Sequence, residues 1–229
     1  MEDLTSGRQS LRKRVYEHLK EQINSQKIRQ GSFLDLNTIG KELALSRTPL
    51  RDALFQLEFE GFVSIYPRRG VFVNVLDLKN IRNIYEVIGA LESACLINVA
   101  VKLTAADISQ MEVHNEAMRS YLEQDNFAAH YEQNVCFHNI FLNLSENADL
   151  IHTARILRER LYDFPRNPGF LKDWELSNLE EHRQMVKKLR DGDFNGAAEY
   201  LRDVHWSFSV QERYIRKYYF ASKTNIQEK

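Results

Sequence analysis

Arg47 and Arg51 stand four residues apart in the segment Ser46-Arg47-Thr48-Pro49-Leu50-Arg51. On a helix that spacing turns both guanidinium groups to one face, and each can donate two hydrogen bonds to guanine O6 and N7 in the major groove of DNA. Ser46 and Thr48 bring hydroxyls to the helix start, where unpaired backbone N–H groups already suit phosphate oxygens. Further along, Arg68, Arg69 and Gly70 form a basic tip whose glycine lets the backbone approach a duplex, along the phosphates or in the minor groove. A solvated helix face also carries arginines at this spacing, so periodicity alone leaves both readings open.

A second constellation lies later in the chain. Asn134 and His138 share a helix face, while His182 stands ten residues before Gly192 and His205 twelve after Asp193. At roughly 1.5 Å per helical residue these two histidines lie about 15 and 18 Å from the intervening turn, nearly level. Three imidazoles and one amide oxygen are a ligand set that Zn²⁺, Ni²⁺ or Mn²⁺ accepts, with positions left open for water or an anion. The chain holds seven histidines, and a histidine on a helix is more often a surface or core residue than a ligand. A metal-dependent enzyme using the cluster as a Lewis acid is the alternative function. No HExxH, Gly-rich phosphate loop, G-x-S-x-G or Cys-x-x-Cys supplies it with further catalytic groups.

These residues need elements to hold them. Over 9–26, Leu11, Val15, Leu19 and Ile23 recur every four positions and predict one amphipathic helix. After a loop at Gly31, Asn37 is the predicted cap of a second short helix ending near Leu45. The segment Ser46-Arg47-Thr48-Pro49 supplies a hydroxyl cap for a third, with Pro49 as its first helical residue and Gly61 as its stop. Residues 63–66 and 71–73 flank Pro67-Arg68-Arg69-Gly70 as a hairpin. Helix, helix, helix, hairpin is a winged helix-turn-helix outline. Beyond Asn74 a 3.6-residue period predicts helices over 81–102, 105–123, 126–144, 148–162, 178–191 and 194–219, with breaks at Pro165, Pro168-Gly169 and Gly192. The predicted fold is therefore mainly α, with a winged helix-turn-helix domain over 1–76 and an all-α antiparallel bundle over 77–229.

Composition agrees with that division. Of 229 residues, 43% are hydrophobic and 28% charged, too apolar a mixture for a disordered chain. No run approaches the roughly 18 apolar residues of a membrane span, because the most apolar stretch, 88–101, is broken by Glu92. The N-terminus lacks the apolar segment of a secretory signal, and the two cysteines, Cys95 and Cys136, fit reduced thiols. A soluble, cytoplasmic protein with no membrane partner is expected. The net charge of −1 conceals an excess of 12 basic over nine acidic residues in 1–76, against 19 and 23 in the remainder, which puts the positive charge where a nucleic acid would be met.

The segments Leu45-Ser46-Arg47-Thr48-Pro49-Leu50-Arg51-Asp52-Ala53-Leu54 and Pro67-Arg68-Arg69-Gly70-Val71-Phe72-Val73 closely resemble the GntR family of bacterial transcription regulators. The helical remainder resembles the FCD-type ligand-sensing domain of the FadR-like subfamily. The resemblance implies a ligand-responsive regulator, expected to be a repressor, that binds a near-palindromic double-stranded operator as a homodimer. Ser46, Arg47, Thr48, Arg51 and Gly70 would then sit at DNA-contacting positions, while Asn37 occupies one where an arginine is common. It also implies a divalent metal held by an Asp-x-x-x-His pair and two later histidines, here Asn134, His138, His182 and His205. Asn134 replaces the usual aspartate. His205 falls one residue late, a rotation of about 100° on a helix, which an extra residue in the turn 193–196 would correct. Ile88 stands where relatives that sense organic acids commonly carry an arginine. The expected effector pocket therefore includes Ile88, with Arg155 as a source of charge, and a metal whose +2 charge Asn134 leaves intact would recruit a small-molecule effector such as an organic acid.

Overall fold

The computed structural model describes residues 2–25, 27–44, 47–163 and 171–220. Ser46, the breaks at Pro165 and Pro168-Gly169, and the polar tail 222–229 lie outside these. The chain divides into two compact units, Met1–Asp77 with Ile156–Pro165 and Leu78–Arg155 with Arg166–Lys229.

In the first unit, α1 (Glu2–Asn24) buries Val15, Leu19 and Ile23 against α3 (Arg47–Phe59), which turns Leu50, Ala53, Leu54 and Leu57 inward. Between them, α2 (Leu36–Glu42) is capped by Asp35 rather than by Asn37. The Asp35 Oδ1 accepts the backbone N–H groups of Asn37 and Thr38 at 3.1 Å each, and Oδ2 accepts the Thr38 hydroxyl at 2.7 Å. The Thr38 hydroxyl and these amides hold the Asp35 carboxyl below its ordinary range. Helix α3 ends as predicted at Gly61, whose φ of +80° admits the reversal, and Phe62 N–H closes onto Leu57 O at 2.8 Å. An added Cβ on Gly61 would also stand 2.8 Å from the Arg160 guanidinium carbon, a contact that the flexible arginine can yield, so the positive φ is what selects glycine there. The stretch 156–165 is further tied to this unit by Lys20 Nζ and Glu159 Oε2 at 2.9 Å.

Strands β1 (Val63–Tyr66) and β2 (Gly70–Val73) pair antiparallel from Val63↔Val73 to Tyr66↔Gly70. The predicted loop at Gly31 joins this sheet: Gly31 N–H donates to Val73 O at 2.9 Å, Leu34 N–H donates to Val71 O at 2.8 Å, and Phe33 bridges to Phe72. The unit is a three-helix head with a wing.

The second unit is helical: α4 (Leu78–Val99), α5 (Ala105–Glu123), α6 (Phe127–Leu142), the first half of α7 (Ala148–Asp163), α8 (Leu171–Arg190), α9 (Phe194–Tyr200) and α10 (Phe208–Phe220). Helix α5 packs on α6 and α8, and α4 packs on α6, on α9 and on the segment that follows α9. Two elements differ from expectation. Helix α8 begins at Leu171, seven residues before the predicted start. The predicted helix 194–219 is interrupted by a π-helical turn, Leu201–His205, in which Trp206 N–H reaches back five residues to Leu201 O at 2.9 Å. Among the described residues no helix is long and apolar enough to cross a membrane.

Candidate nucleic-acid interface and metal centre

On the first unit, Thr48 and Arg51 of α3 and Asn37 of α2 line one cavity of about 500 Å³ together with Leu36, Phe55 and Ile65. Arg51 is exposed, and its guanidinium lies 6.0 Å from the centre of the Phe55 ring. The backbone of Arg47 opens α3, one turn before Arg51; its side chain, like all of Ser46, lies outside the described residues.

The wing carries the other basic residues. Arg69 N–H donates to Tyr66 O at 3.1 Å, closing the turn Tyr66-Pro67-Arg68-Arg69. In that turn Arg68 has φ +62° and Gly70 φ +109°. A turn with proline second and a left-handed residue third normally takes glycine or asparagine there, and an arginine in that conformation costs about 1–2 kcal/mol. Both wing arginines are exposed. Arg69 is steadied over the Tyr66 ring at 5.7 Å, and Tyr66, Phe33 and Phe72 pack edge to face beneath it.

In the second unit, the ligand atoms of His138, His182 and His205 lie within 4.8 Å of one another and all three side chains are buried. Helix α6 supplies His138, with Asn134 buried one turn earlier; α8 supplies His182; the π-helical turn supplies His205. That wide turn answers the spacing problem. It absorbs one extra residue, so His205 takes the angular place that residue 204 would hold on an uninterrupted α-helix. The correction lies here and not in the turn 193–196, where Asp193 simply caps α9 through Gly196 N–H at 2.9 Å.

The electrostatics of the cluster suit a cation. Burial, followed by the neighbouring His205 and His138, drives the His182 imidazole well below its ordinary range, so it is neutral. Both its ring nitrogens are buried without a hydrogen-bond partner among the described residues, a costly state for a polar ring. His138 and His205 are each backed by a carboxylate, His138 Nδ1 with Glu92 Oε2 at 2.8 Å and His205 Nδ1 with Glu181 Oε2 at 2.9 Å. A histidine whose far nitrogen is fixed by a carboxylate presents its near nitrogen as an oriented lone pair, an arrangement common around bound metals. The donor set and the orphaned His182 ring fit a divalent ion.

Sequence reasoning missed Glu92, Glu181, Trp206 and Gln211. One signal existed: Glu92 is the lone charge within the apolar stretch 88–101, and it is fully buried. Gly89 has a related role, since a Cβ there would meet the Trp206 Cβ at 3.1 Å. Its absence lets α4 approach closely enough for Trp206 to donate to Glu92. Of the two expected pocket residues, Ile88 is fully buried on α4, whereas Arg155 is exposed on α7 with Nη2 3.2 Å from His152 Nδ1.

Comparison with known proteins identifies the family of both parts of the chain. Residues 11–73 match the bacterial regulatory proteins of the gntR family, and residues 83–205 match the FCD domain. The Nta operon transcriptional regulator of Aminobacter aminovorans is 30% identical over 171 residues, 71% of this chain and 76% of its own length. The HTH-type transcriptional repressor RspR of Escherichia coli is 25% identical over 81% of this chain and 82% of its own. Among solved structures, Escherichia coli McbR/YncC has the same fold, with a TM-score of 0.64, 20% identity, and coverage of 90% of this chain and 95% of that one.

Proposed function

The chain belongs to the GntR family of bacterial transcriptional regulators, with an FCD domain after its helix-turn-helix, and from that premise we propose that it is an effector-controlled operator-binding repressor working through a metal-containing sensor unit. It is a DNA-binding regulator and not an enzyme, so the metalloenzyme alternative falls away. Repression is the output we assign, in keeping with the name of the relative RspR. A regulator of bacterial operators works in the cytoplasm.

The observation that carries the sensor reading is the buried His138–His182–His205 cluster. Asn134, His138, His182 and His205 would hold Zn²⁺, Ni²⁺ or Mn²⁺. The ion would supply open coordination positions at which a small-molecule effector, an organic acid in our reading, is recognised. Occupancy changes operator affinity only if the effector binds one arrangement of the DNA-binding heads better than another.

Two copies are needed to present two heads to a near-palindromic operator. A second copy has a place to bind. On α4, Val87, Ala90, Ala94 and Ile97 recur at i, i+3, i+7 and i+10 and are all exposed, with exposed Val101 just beyond the helix. The inward face of the same helix is already filled by Ile81, Ile84, Ile88 and Leu96. An apolar outward stripe with small residues at its centre suits close packing against its own twofold mate.

In this reading Arg47 and Arg51 read bases in the major groove, Ser46 and Thr48 hold phosphates, and Arg68, Arg69 and Gly70 meet phosphates or the minor groove. Arg51→Ala is expected to weaken specific operator binding by about 1–3 kcal/mol, roughly 5- to 150-fold, with relaxed preference at one base pair. Fluorescence anisotropy on single-base operator variants measures this; an unchanged affinity would remove Arg51 from the reading face. Arg68→Gly should part stability from function. The left-handed position favours glycine, offset in part by the greater chain entropy of glycine, so the unfolding free energy rises by about 0.5–1 kcal/mol. Operator affinity falls. A thermal melt beside a binding isotherm reads both, and a variant neither more stable nor weaker in binding contradicts the assignment.

A further inference from the structure

We infer that Glu92 and Glu181 supply, from behind the histidines, the negative charge that the neutral ligand set His138, His182, His205 and Asn134 lacks, and that they fix which ring nitrogens face the ion. The inference rests on the metal reading of this cluster. Its ground is the hydrogen-bond direction at each carboxylate. Trp206 Nε1–H, which can only donate, reaches Glu92 Oε2 at 2.8 Å, so that oxygen is an acceptor. The same oxygen faces His138 Nδ1 at 2.8 Å; the proton therefore sits on Nδ1, and Nε2 carries the lone pair.

The Glu181 side follows by one more step. Trp174 Nε1–H donates to Gln211 Oε1 at 2.8 Å, which fixes the orientation of the amide and leaves Gln211 Nε2–H to donate to Glu181 Oε1 at 2.9 Å. As carboxylates, Glu92 and Glu181 have only acceptor oxygens, so Glu181 Oε2 receives the proton of His205 Nδ1 at 2.9 Å. Two imidazoles are thereby set in the same tautomer by two carboxylates, which are 0% and 6% exposed. Two buried anions against one buried imidazole cluster are costly without a countercharge, and a divalent cation among the imidazoles provides it. An aspartate at position 134 would place one such charge on the ion directly; here the charge stands one bond network further out.

The test is zinc affinity, measured by competition with a chromophoric chelator on the full-length protein. Glu92→Gln and Glu181→Gln keep side-chain volume and are expected to bind Zn²⁺ about 10- to 100-fold more weakly than the parent. Adding Asn134→Asp to either should recover much of the loss, because a charge restored at the ion replaces one removed behind it. A residue that only fills space is not rescued by charge elsewhere. Glu181 stands on a different helix from Glu92, so the question survives if one variant fails to fold. Both tryptophans of the chain donate into this network, so their emission gives a second reading of zinc binding. Variants that bind as tightly as the parent, or that Asn134→Asp does not rescue, overturn the inference while the metal reading stands. A parent that binds none of Zn²⁺, Ni²⁺ and Mn²⁺ overturns both.

Discussion

In the proposed pairing through α4, replacing Ala94 with arginine is expected to halve the mass of the protein in solution and to weaken operator binding by about 10²- to 10⁴-fold. The side chain at 94 is exposed on α4 between Val87 and Ile97, so the substitution leaves the fold of a single copy intact. In a twofold pairing of that face each copy brings its residue 94 towards the mate's, and two guanidinium groups are buried against apolar surface without partners. The operator effect follows from geometry. Once one head is bound, the second meets its half-site at a high effective concentration set by the linkage between copies, and separating the copies removes that advantage with every protein–DNA contact unchanged. Sedimentation equilibrium gives the mass against the 26.9 kDa of one chain, and a binding isotherm on full and half operators gives the affinity. A dimer that survives Ala94→Arg places the interface on another face.

In the proposed metal site, zinc in large excess is expected to raise the stability of the parent protein by about 4 kcal/mol at 1,000 times the dissociation constant, and His182→Ala is expected to abolish the gain. The relevant quantity is the difference between melts with zinc and with chelator, because His182 also stacks on Phe137 at a ring separation of 4.1 Å and its loss lowers the baseline of both. His182 is the sharpest choice of the three histidines. Neither of its nitrogens is committed to a hydrogen bond among the described residues, whereas His138 and His205 are each anchored to a carboxylate. A zinc-dependent gain of equal size in the variant would remove His182 from the ligand set.

The parts of this molecule legible in the sequence are those with local chemical causes. Pro49 in the first turn of α3, Gly61 after its last and the alternating 63–73 hairpin announce the winged head, since each encodes a backbone conformation on its own. The approach of His182 and His205 was also legible, because the turn between them and their spacing place them level; His138 was tied to them only by the family resemblance. The cap of α2 was not: Asp35 and Asn37 are both capping types two residues apart, and only the backbone decides between them. Gln211 and Trp174 are legible only once Glu181 is known to need a donor. The early start of α8 escaped because Leu171 to Ser177 carries no capping signal strong enough to mark it. The wide turn at Leu201–His205 has no residue signature at all, since only the packing of the surrounding helices distinguishes it from a regular turn.

That wide turn has a consequence for how the chain tolerates changes in length. One residue inserted into a regular helix would rotate everything after it and swing the inward row Phe208, Gln211, Ile215 and Tyr218 out to solvent. Here the surplus is taken up by the wide turn and the non-helical step at Trp206 and Ser207, and α10 opens afresh at Phe208 with that row inward. The segment 201–207 acts as a slack loop of thread in an otherwise taut seam, where one residue more or fewer leaves the helix beyond in its place.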